Sequence, residues 1–229
     1  MKASNQSMKP TPKAFGVAYL FLVRQTMMTM VSLETRSLLL RPFAPSDVEP
    51  MLAMSQEDCA RKWLPSQVYR DEAHAASAID WLIRQCDLQM TPKTNAFVFG
   101  VEDKATARLI GHVGLSPLFD GVEVGFGIAT SEQGKGYAAE AVSRACAWGF
   151  ERFSLSAILG VTDEENVASQ RVLRRCGFRR KEEKMMRLQG VERSAIIFEL
   201  TEKNAQQTGC TERRDRAAVD NRTSLARRR

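Results

Sequence analysis

The chain has 229 residues, and 44% of them are hydrophobic. This length and composition fit one globular domain with terminal extensions, and they exclude a chain too polar to form a core. The net charge of +6 belongs to the ends, because residues 1–32 and 204–229 each carry +4 while residues 33–203 carry −2. A near-neutral central segment argues against nucleic-acid binding, which usually requires a concentrated basic surface.

The five cysteines and two histidines form no metal-binding pattern in the sequence. No two cysteines stand in a C-x-x-C pair, and the histidines do not supply the rest of a zinc-ligand spacing. An odd number of cysteines without a disulfide framework is typical of a reducing compartment. We therefore expect a cytoplasmic protein that binds no metal.

The N-terminal segment contains an apolar run from Ala14 to Leu33, which Arg24 interrupts. The interruption comes too early for a membrane-spanning helix, and no small-residue cleavage pattern is evident. We expect no membrane segment here. Residues 1–32 are predicted to be an extension that is either disordered or not part of the native protein.

The first half of the patterned region, which begins at residue 33, combines two helices with short strands. Ser46 and Glu49 have the spacing of a capping box, and Asp71 is placed to cap a second helix. The predicted strands are separated by polar turns, as in an antiparallel meander. These strands are Leu38–Arg41, Ala96–Val101, Leu109–Leu115 and Val122–Ala129.

Two glycines, Gly125 and Gly127, lie inside the fourth of these strands. Glycine weakens the interior of a strand, so its presence usually marks a bulge or a close approach of another group to the backbone. The two glycines therefore predict either a bulge or a close approach at this point.

The second half alternates helices and strands up to Lys203. Gly136–Phe153 is predicted to be a helix, and a later helix opens at Asn166 and ends at Gly177. The predicted strands here are Ala157–Thr162, Arg180–Leu188 and Arg193–Leu200. Residues 204–229 lose the pattern and are predicted to be a basic disordered tail.

The segment 131–138, Ser-Glu-Gln-Gly-Lys-Gly-Tyr-Ala, follows a strand and opens the long helix. The first turn of a helix presents unpaired N–H groups and partial positive charge, so an anion is its natural ligand. Ala129 and Gly136 stand where an ATP-binding loop needs Gly and Ser or Thr, and the glycine order does not fit a dinucleotide fingerprint. An ordinary glycine-rich turn into a helix fits the segment equally well.

Further motifs give this region a family context. Gln133, Gly136 and Ala138 match the Gln/Arg-x-x-Gly-x-Gly/Ala signature of the GNAT superfamily of N-acetyltransferases, which the sequence resembles over residues 34–202. The pieces Leu40-Arg-Pro42, Glu123-Val-Gly-Phe126, Asn166-Val-Ala-Ser169 and Cys176-Gly-Phe178 resemble its Rim-type branch, the ribosomal-protein N-acetyltransferases. Several motifs in the correct order make this a specific resemblance to the superfamily.

The resemblance implies a fold and a cofactor site. The expected fold is α/β, with a mixed, mostly antiparallel seven-stranded sheet that is flanked by helices and splayed between strands 4 and 5. Of the two interpretations of Gly125 and Gly127, the resemblance implies the bulge, which would produce this splay. Acetyl-CoA would bind with its pantetheine arm along the strand that ends at Ile128-Ala129 and its pyrophosphate at the loop. The implied cofactor-binding residues are Ile128, Ala129, Gln133, Gly134, Lys135, Gly136, Tyr137, Ala138 and Asn166.

The resemblance also implies two catalytic residues. Glu123 matches an acidic position that would take the amine proton through water, although a carboxylate at a strand end is often only a surface group. Ser169 matches a position proposed to protonate the departing thiolate, and a small packing residue is the alternative. Lys135 faces solvent or adds charge to the loop, and Asn166 caps a helix, contacts the cofactor, or does both. His112 is expected to be packed or exposed at a strand edge rather than catalytic. Trp63 and Trp81 are candidates for the acceptor wall, with core packing favoured for Trp81.

The resemblance therefore predicts transfer of an acetyl group from acetyl-CoA to a primary amine, with a protein N-terminus as one acceptor. A small amine such as a polyamine or an antibiotic is the first alternative, and a non-catalytic acyl-CoA-binding protein is the second. Binding of ribosomes or nucleic acid through the arginine tail is a third. No membrane partner is expected, and a monomer and a homodimer both remain open.

Overall fold

A computed structural model describes residues 31–85, 90–188 and 190–207, which form an eight-stranded sheet with helices packed on it. Along the sheet the strands follow the order β1-β2-β3-β4-β5-β6-β8-β7, and every neighbouring pair is antiparallel except the parallel pair β5–β6. The strands are β1 (Leu33–Glu34), β2 (Leu38–Arg41), β3 (Phe97–Asp103), β4 (Arg108–Leu118), β5 (Gly121–Ile128), β6 (Ala157–Asp163), β7 (Arg179–Leu188) and β8 (Val191–Thr201).

The predicted fold class is confirmed, with one strand more than the seven expected. The additional strand, β1, contains two residues and pairs Leu33 with Leu40 of β2. Two residues are too few to show the alternation that reveals a strand in a sequence. The expected splay between strands 4 and 5 therefore falls between β5 and β6.

Four of the six described helices lie close to predicted positions, whereas the short helices that begin at Asp58 and Glu202 were not predicted. In chain order, the six are α1 (Val48–Ser55), α2 (Asp58–Trp63), α3 (Glu72–Gln85), α4 (Tyr137–Phe153), α5 (Val167–Arg175) and α6 (Glu202–Gln207). Asp71 caps α3 as predicted, since its carboxylate accepts from the His74 backbone N–H at 2.8 Å. Phe178 N–H donates to the Leu173 carbonyl and Gly177 has φ +89°, which is the expected glycine-terminated end of α5.

Two hydrophobic clusters hold the layers together. The larger one joins α4 to the sheet, and Trp148 of α4 packs edge-to-face against Phe99 of β3 with ring centroids 5.2 Å apart. The smaller one joins α1 and α3 to the sheet through residues such as Met51, Ile79 and Leu109. The central helix and the α1–α3 segment are thereby fixed relative to β4 and β5.

Arg41 anchors α1 to the sheet through two carboxylates. Its guanidinium donates two hydrogen bonds to Asp47, at 2.7 and 2.9 Å, and one to Glu102 at 2.6 Å. Asp47 is 3% exposed and also accepts from the Ala44 backbone N–H at 2.8 Å. The predicted capping box of Ser46 and Glu49 is wrong, because a 3₁₀ turn at Pro45–Asp47 makes Asp47 the N-cap residue.

Replacing Arg41 with methionine should destabilise the protein by about 3–5 kcal/mol, because the buried Asp47 carboxylate would lose its charged partner. Urea unfolding measures this change. Lys104→Met is the matched control, since the Lys104–Glu34 pair is exposed and should contribute little to stability. Equal losses in the two variants would contradict an anchoring role for Arg41.

The last described helix, α6, begins at Glu202 and buries Ala205 completely. Regular structure thus continues four residues past the predicted domain end at residue 203, so residues 204–207 are not part of a disordered tail. The predictions for residues 1–30 and 208–229 lie outside the described residues, as do those for Cys86 and Gln189. Within the described ranges, no helix has both the length and the apolar composition that crossing a membrane requires.

Candidate functional site

A cleft opens where β5 and β6 part. The two strands share a single registered pair, Glu123 with Leu159, although β5 continues to Ile128 and β6 to Asp163. The space beyond that pair belongs to a cleft of about 1000 Å³, lined by both strands, α5, the loop before α4 and the α1–α3 segment. The predicted splay is confirmed.

The bulge predicted near Gly125 and Gly127 is wrong. β5 pairs with β4 from Gly121 to Ile128 without a shift of register. Gly127 is explained by its neighbour instead, because a Cβ there would lie 2.8 Å from Cε1 of His112. The strands diverge because β6 pairs along its whole length with β8, while β5 stays with β4.

The free edge of β5 presents main-chain groups to the cleft. The Ala129 N–H donates to the Ile110 carbonyl on β4 at 2.9 Å. Because backbone groups alternate between the two edges of a strand, the N–H of Ile128 points to the opposite, open edge. The carbonyl of Ile128 accepts from Gln133 Nε2 at 3.0 Å. The end of β5 is thus tied to the loop that follows it.

The loop before α4 holds a series of available backbone donors. Gly134 and Gly136 have φ of +78° and +90°, and the first helical hydrogen bond runs from Glu140 N–H to the Gly136 carbonyl at 3.1 Å. Among the described residues, none accepts a hydrogen bond from the backbone N–H groups of residues 134–139. Together with the positive end of a 17-residue helix, these donors suit a diphosphate.

Glu123 stands at the foot of the cleft, where β5 and β6 begin to separate. It is half-buried, and this burial raises the pKa of its carboxyl group to about 7, while a hydrogen bond from Ser116 acts in the opposite direction. A carboxyl group with a pKa near 7 exchanges a proton readily at neutral pH, as a general base must.

Asn166 and Ser169 line the cleft from the start of α5. Asn166 Oδ1 accepts from the Ser169 backbone N–H at 3.1 Å, so Asn166 caps this helix. The cap also brings the half-buried Ser169 to the side of the cleft opposite β5.

A family model described as an acetyltransferase (GNAT) domain matches residues 37–179 of the chain, which is more than half of its length. The protein belongs to the GNAT acetyltransferase family. It is 28% identical over 152 residues to the uncharacterised N-acetyltransferase YoaA of Bacillus subtilis (strain 168), an alignment that spans 65% of this chain and 83% of that protein.

Solved structures of similar fold agree with this assignment. The ribosomal-protein-S5-alanine acetyltransferase of Vibrio fischeri superposes with a TM-score of 0.61 at 21% identity, over 75% of this chain and 96% of that one. Mycobacterium smegmatis RimJ, in complex with CoA-disulfide, gives a TM-score of 0.61 at 18% identity over 79% and 90% of the two chains. The fold of the acetyltransferase therefore agrees with that of Rim-type proteins.

Side chains of the loop play mixed roles in this GNAT acetyltransferase. Gln133 braces β5, and Lys135 is half-exposed and pairs with Glu132 at 2.7 Å. Tyr137 packs against the main core, while Ala138 lines the cleft. The available polar groups of this loop are therefore its backbone N–H groups rather than its side chains.

Arg175 is a residue that sequence reasoning missed. It ends α5, yet its guanidinium nitrogens lie 3.8 and 4.0 Å from where a Cβ on Gly136 would stand. Arg175 also lines the cleft and forms no ion pair within the described part of the chain. Only tertiary structure brings the two segments together, so no local pattern could have singled it out.

The α1–α3 segment forms the wall of the cleft that faces β4 and β5. Trp63 and Trp81 line it together with Tyr69, and Trp81 is 48% exposed rather than packed in the core as expected. Glu57 holds this wall to the end of β5 by accepting from the Thr130 backbone N–H and hydroxyl, at 2.9 and 2.7 Å. Lys62 reaches Glu165 beyond β6, at 3.7 Å. The helix α2 thereby spans the mouth of the cleft.

His112 packs against Gly127 as a strand residue, but it also lines the cleft. Burial lowers the pKa of its imidazole to about 4, so His112 is neutral at physiological pH. Within the described ranges, no group of three or more His, Cys, Asp or Glu side chains is arranged to hold a metal ion.

Proposed function

We propose that this acetyltransferase transfers the acetyl group of acetyl-CoA to the N-terminal amine of a peptide or protein. The observation that carries the proposal is the charge of the cleft. Of the acidic residues that line it in the described chain, Glu132 and Asp163 pair with cations and Glu57 is bonded to Thr130. Glu123 accepts a hydrogen bond from Ser116 but pairs with no cation in the described chain, so it is left for an acceptor amine. A single available carboxylate matches an acceptor that carries a single amine.

A polyamine or an aminoglycoside carries several positive charges and favours several carboxylates in its pocket. The cleft supplies Arg187 and Arg193 on its β7–β8 side instead, and aromatic side chains on the side of α2 and α3. This lining supports an acceptor with a single amine and an uncharged neighbouring group.

The cofactor supplies an acetyl thioester, which an uncharged amine can attack. The free N–H groups of residues 134–139 are suited to hold its pyrophosphate, and the open edge of β5 to receive its arm. The N–H of Ile128 is suited to polarise the thioester carbonyl. On the side of β6 and α5, the same channel is lined by Val161 and Asn166.

The two proton transfers fall to Glu123 and Ser169. Glu123 accepts the proton that the amine loses, directly or through one water molecule, because its pKa of about 7 leaves it largely ionised above neutral pH. Ser169 lines the cleft across from β5 and supplies the proton to the departing sulfur. The similarity in fold to the ribosomal-protein-S5-alanine acetyltransferase of Vibrio fischeri supports a protein acceptor.

Acetyl-CoA turnover against N-terminal peptides, polyamines and aminoglycosides tests this proposal. We expect peptides to be acetylated with the highest kcat/KM and mass spectrometry to locate the acetyl group on the α-amine. Preferred acetylation of a polyamine or an aminoglycoside would replace the proposal with a small-molecule acetyltransferase. Binding of acetyl-CoA without turnover on any acceptor would indicate an acyl-CoA-binding protein.

Arg175→Ala should raise the Kd for acetyl-CoA by about three- to tenfold, because the guanidinium lies beside the loop proposed to hold the cofactor phosphates. The effect should shrink as salt is added, since the group is exposed. Isothermal titration calorimetry measures both quantities. Arg174→Ala is the matched control, because Arg174 bonds to Gln170 in the same turn and does not line the cleft.

A further inference from the structure

Three pairs of neighbouring residues on β4 and β5 form the floor of the cleft opposite α2 and α3. Side chains occupy the two ends of this floor, and glycines occupy its centre. The pairs are His112 with Gly127, Gly114 with Gly125, and Ser116 with Glu123. The floor is therefore a short trough with the neutral His112 at one end and Glu123 at the other.

For two of the three glycines, close contacts within the protein explain why no side chain is present. A Cβ at Gly114 would stand 2.7 Å from the Phe97 carbonyl oxygen, and one at Gly127 would stand 2.8 Å from the His112 ring. Larger residues at either position would force their neighbours to move.

Gly125 has no such reason. No atom lies within 4 Å of the position that its Cβ would take, and its φ is not in the left-handed region that favours glycine. Glycine in a strand interior weakens the strand and often marks a place where a ligand approaches the backbone. The side chain missing at Gly125 therefore leaves room for something other than the protein.

That room lies beside the proposed base. Gly125 is two residues from Glu123 on the same face of β5, which is about 7 Å along the strand. The opposite wall is apolar, with Trp63 and Leu82 among its lining residues, and Val98 of β3 borders the floor beside Gly114. A group attached to the carbon that carries the reactive amine would fit between this wall and Gly125 while the amine faces Glu123.

We infer that Gly125 sets the size of the side chain that the acceptor carries next to its reactive amine. The inference rests on the proposed function and makes Gly125 a specificity-determining residue. The acceptor class is a primary amine whose adjacent carbon bears an uncharged substituent. A side chain at residue 125 would fill the space that this substituent takes.

The test compares Gly125→Ala and Gly125→Val with the unmodified protein on peptides that begin with glycine, alanine, serine and leucine. The valine variant should lose at least about tenfold more kcat/KM on the largest substrate that the unmodified protein accepts than on the glycine peptide, as expected when one or two methyl groups collide in a pocket. The alanine variant should show a smaller loss in the same order. The Kd for acetyl-CoA and the Tm should be unchanged or improved.

Gly121→Ala is the matched control, because Gly121 lies on the same strand, has ordinary 3.6 Å contact at its Cβ and does not line the cleft. It should leave the ranking of the peptides unchanged. A weaker Kd for acetyl-CoA in Gly125→Ala would assign the space to the cofactor and overturn the inference. Equal losses on every peptide would do the same. Inactivity of the unmodified protein on all peptides would instead remove the proposed function, and this inference with it.

Discussion

Glu123→Gln should lower kcat/KM by about 100- to 1000-fold while the Kd for acetyl-CoA stays unchanged, because the variant keeps the shape of the side chain and loses the proton acceptor. Steady-state kinetics and calorimetry on the same preparation measure both quantities. Glu192→Gln is the control, since Glu192 is exposed on β8 and does not line the cleft. A parallel loss of cofactor binding would show that Glu123 supports the site without acting as the base.

The pH dependence gives the same residue a second test. Since burial raises the pKa of Glu123 to about 7, kcat/KM should rise with pH through that value as one proton is lost. Ser116 lowers the pKa of Glu123, so Ser116→Ala should move this rising limb of the pH profile of kcat/KM to higher pH. A limb that stays in place in Ser116→Ala and persists in Glu123→Gln would belong to another group.

Stability should change in the opposite direction to activity. The pKa of Glu123 is raised on folding from 4.5 to about 7, so the folded state binds more protons than the unfolded state between these values. Stability therefore falls as pH rises through this window, and the loss is complete above it. Glu123→Gln removes the buried charge and should raise the Tm above pH 7, whereas a purely structural carboxylate would leave the variant less stable.

Local patterns in the sequence predicted the parts of the fold that depend on neighbouring residues. The entry of α4 at Gly136, the Asn166 cap of α5 and its end at Gly177 each involve contacts within a few positions. The backbone N–H donors of residues 134–139 are also a local feature, because a glycine-rich start of a helix is sufficient to leave such groups without partners. These features are therefore readable without knowledge of the rest of the chain.

Features that depend on contacts between distant segments could not be predicted from the sequence. The approach of Arg175 to Gly136 needs α5 packed beside α4, and the role of Gly127 needs the His112 ring across the strand pair. The bulge prediction was wrong for the same reason, because it depended on a distant segment. A glycine in a strand gives the same sequence pattern whether it accommodates a bulge, a neighbouring ring or a substrate. The GNAT resemblance supplied the position of the cleft, which no local pattern contains.

Gly136→Ala should weaken acetyl-CoA binding by at least about tenfold, because losing even one hydrogen bond to a charged phosphate costs about 1.5–3 kcal/mol. Gly136 has φ +90°, a conformation that alanine adopts reluctantly, so the loop would shift and turn its N–H groups away from a common focus. Equilibrium binding of acetyl-CoA and of CoA should fall together, since the two share the pyrophosphate.

A control variant separates the backbone strain that alanine causes at a positive φ from the loss of the binding site. Gly190 has φ +85° in the β7–β8 turn, no atom stands within 4 Å of its Cβ position, and it does not line the cleft. Gly190→Ala therefore carries a similar conformational cost, about 1 kcal/mol of stability, without touching the loop. Both variants should lose similar Tm, and only Gly136→Ala should lose affinity. If Gly136→Ala bound acetyl-CoA as tightly as Gly190→Ala, the backbone donors of residues 134–139 would not be the diphosphate site.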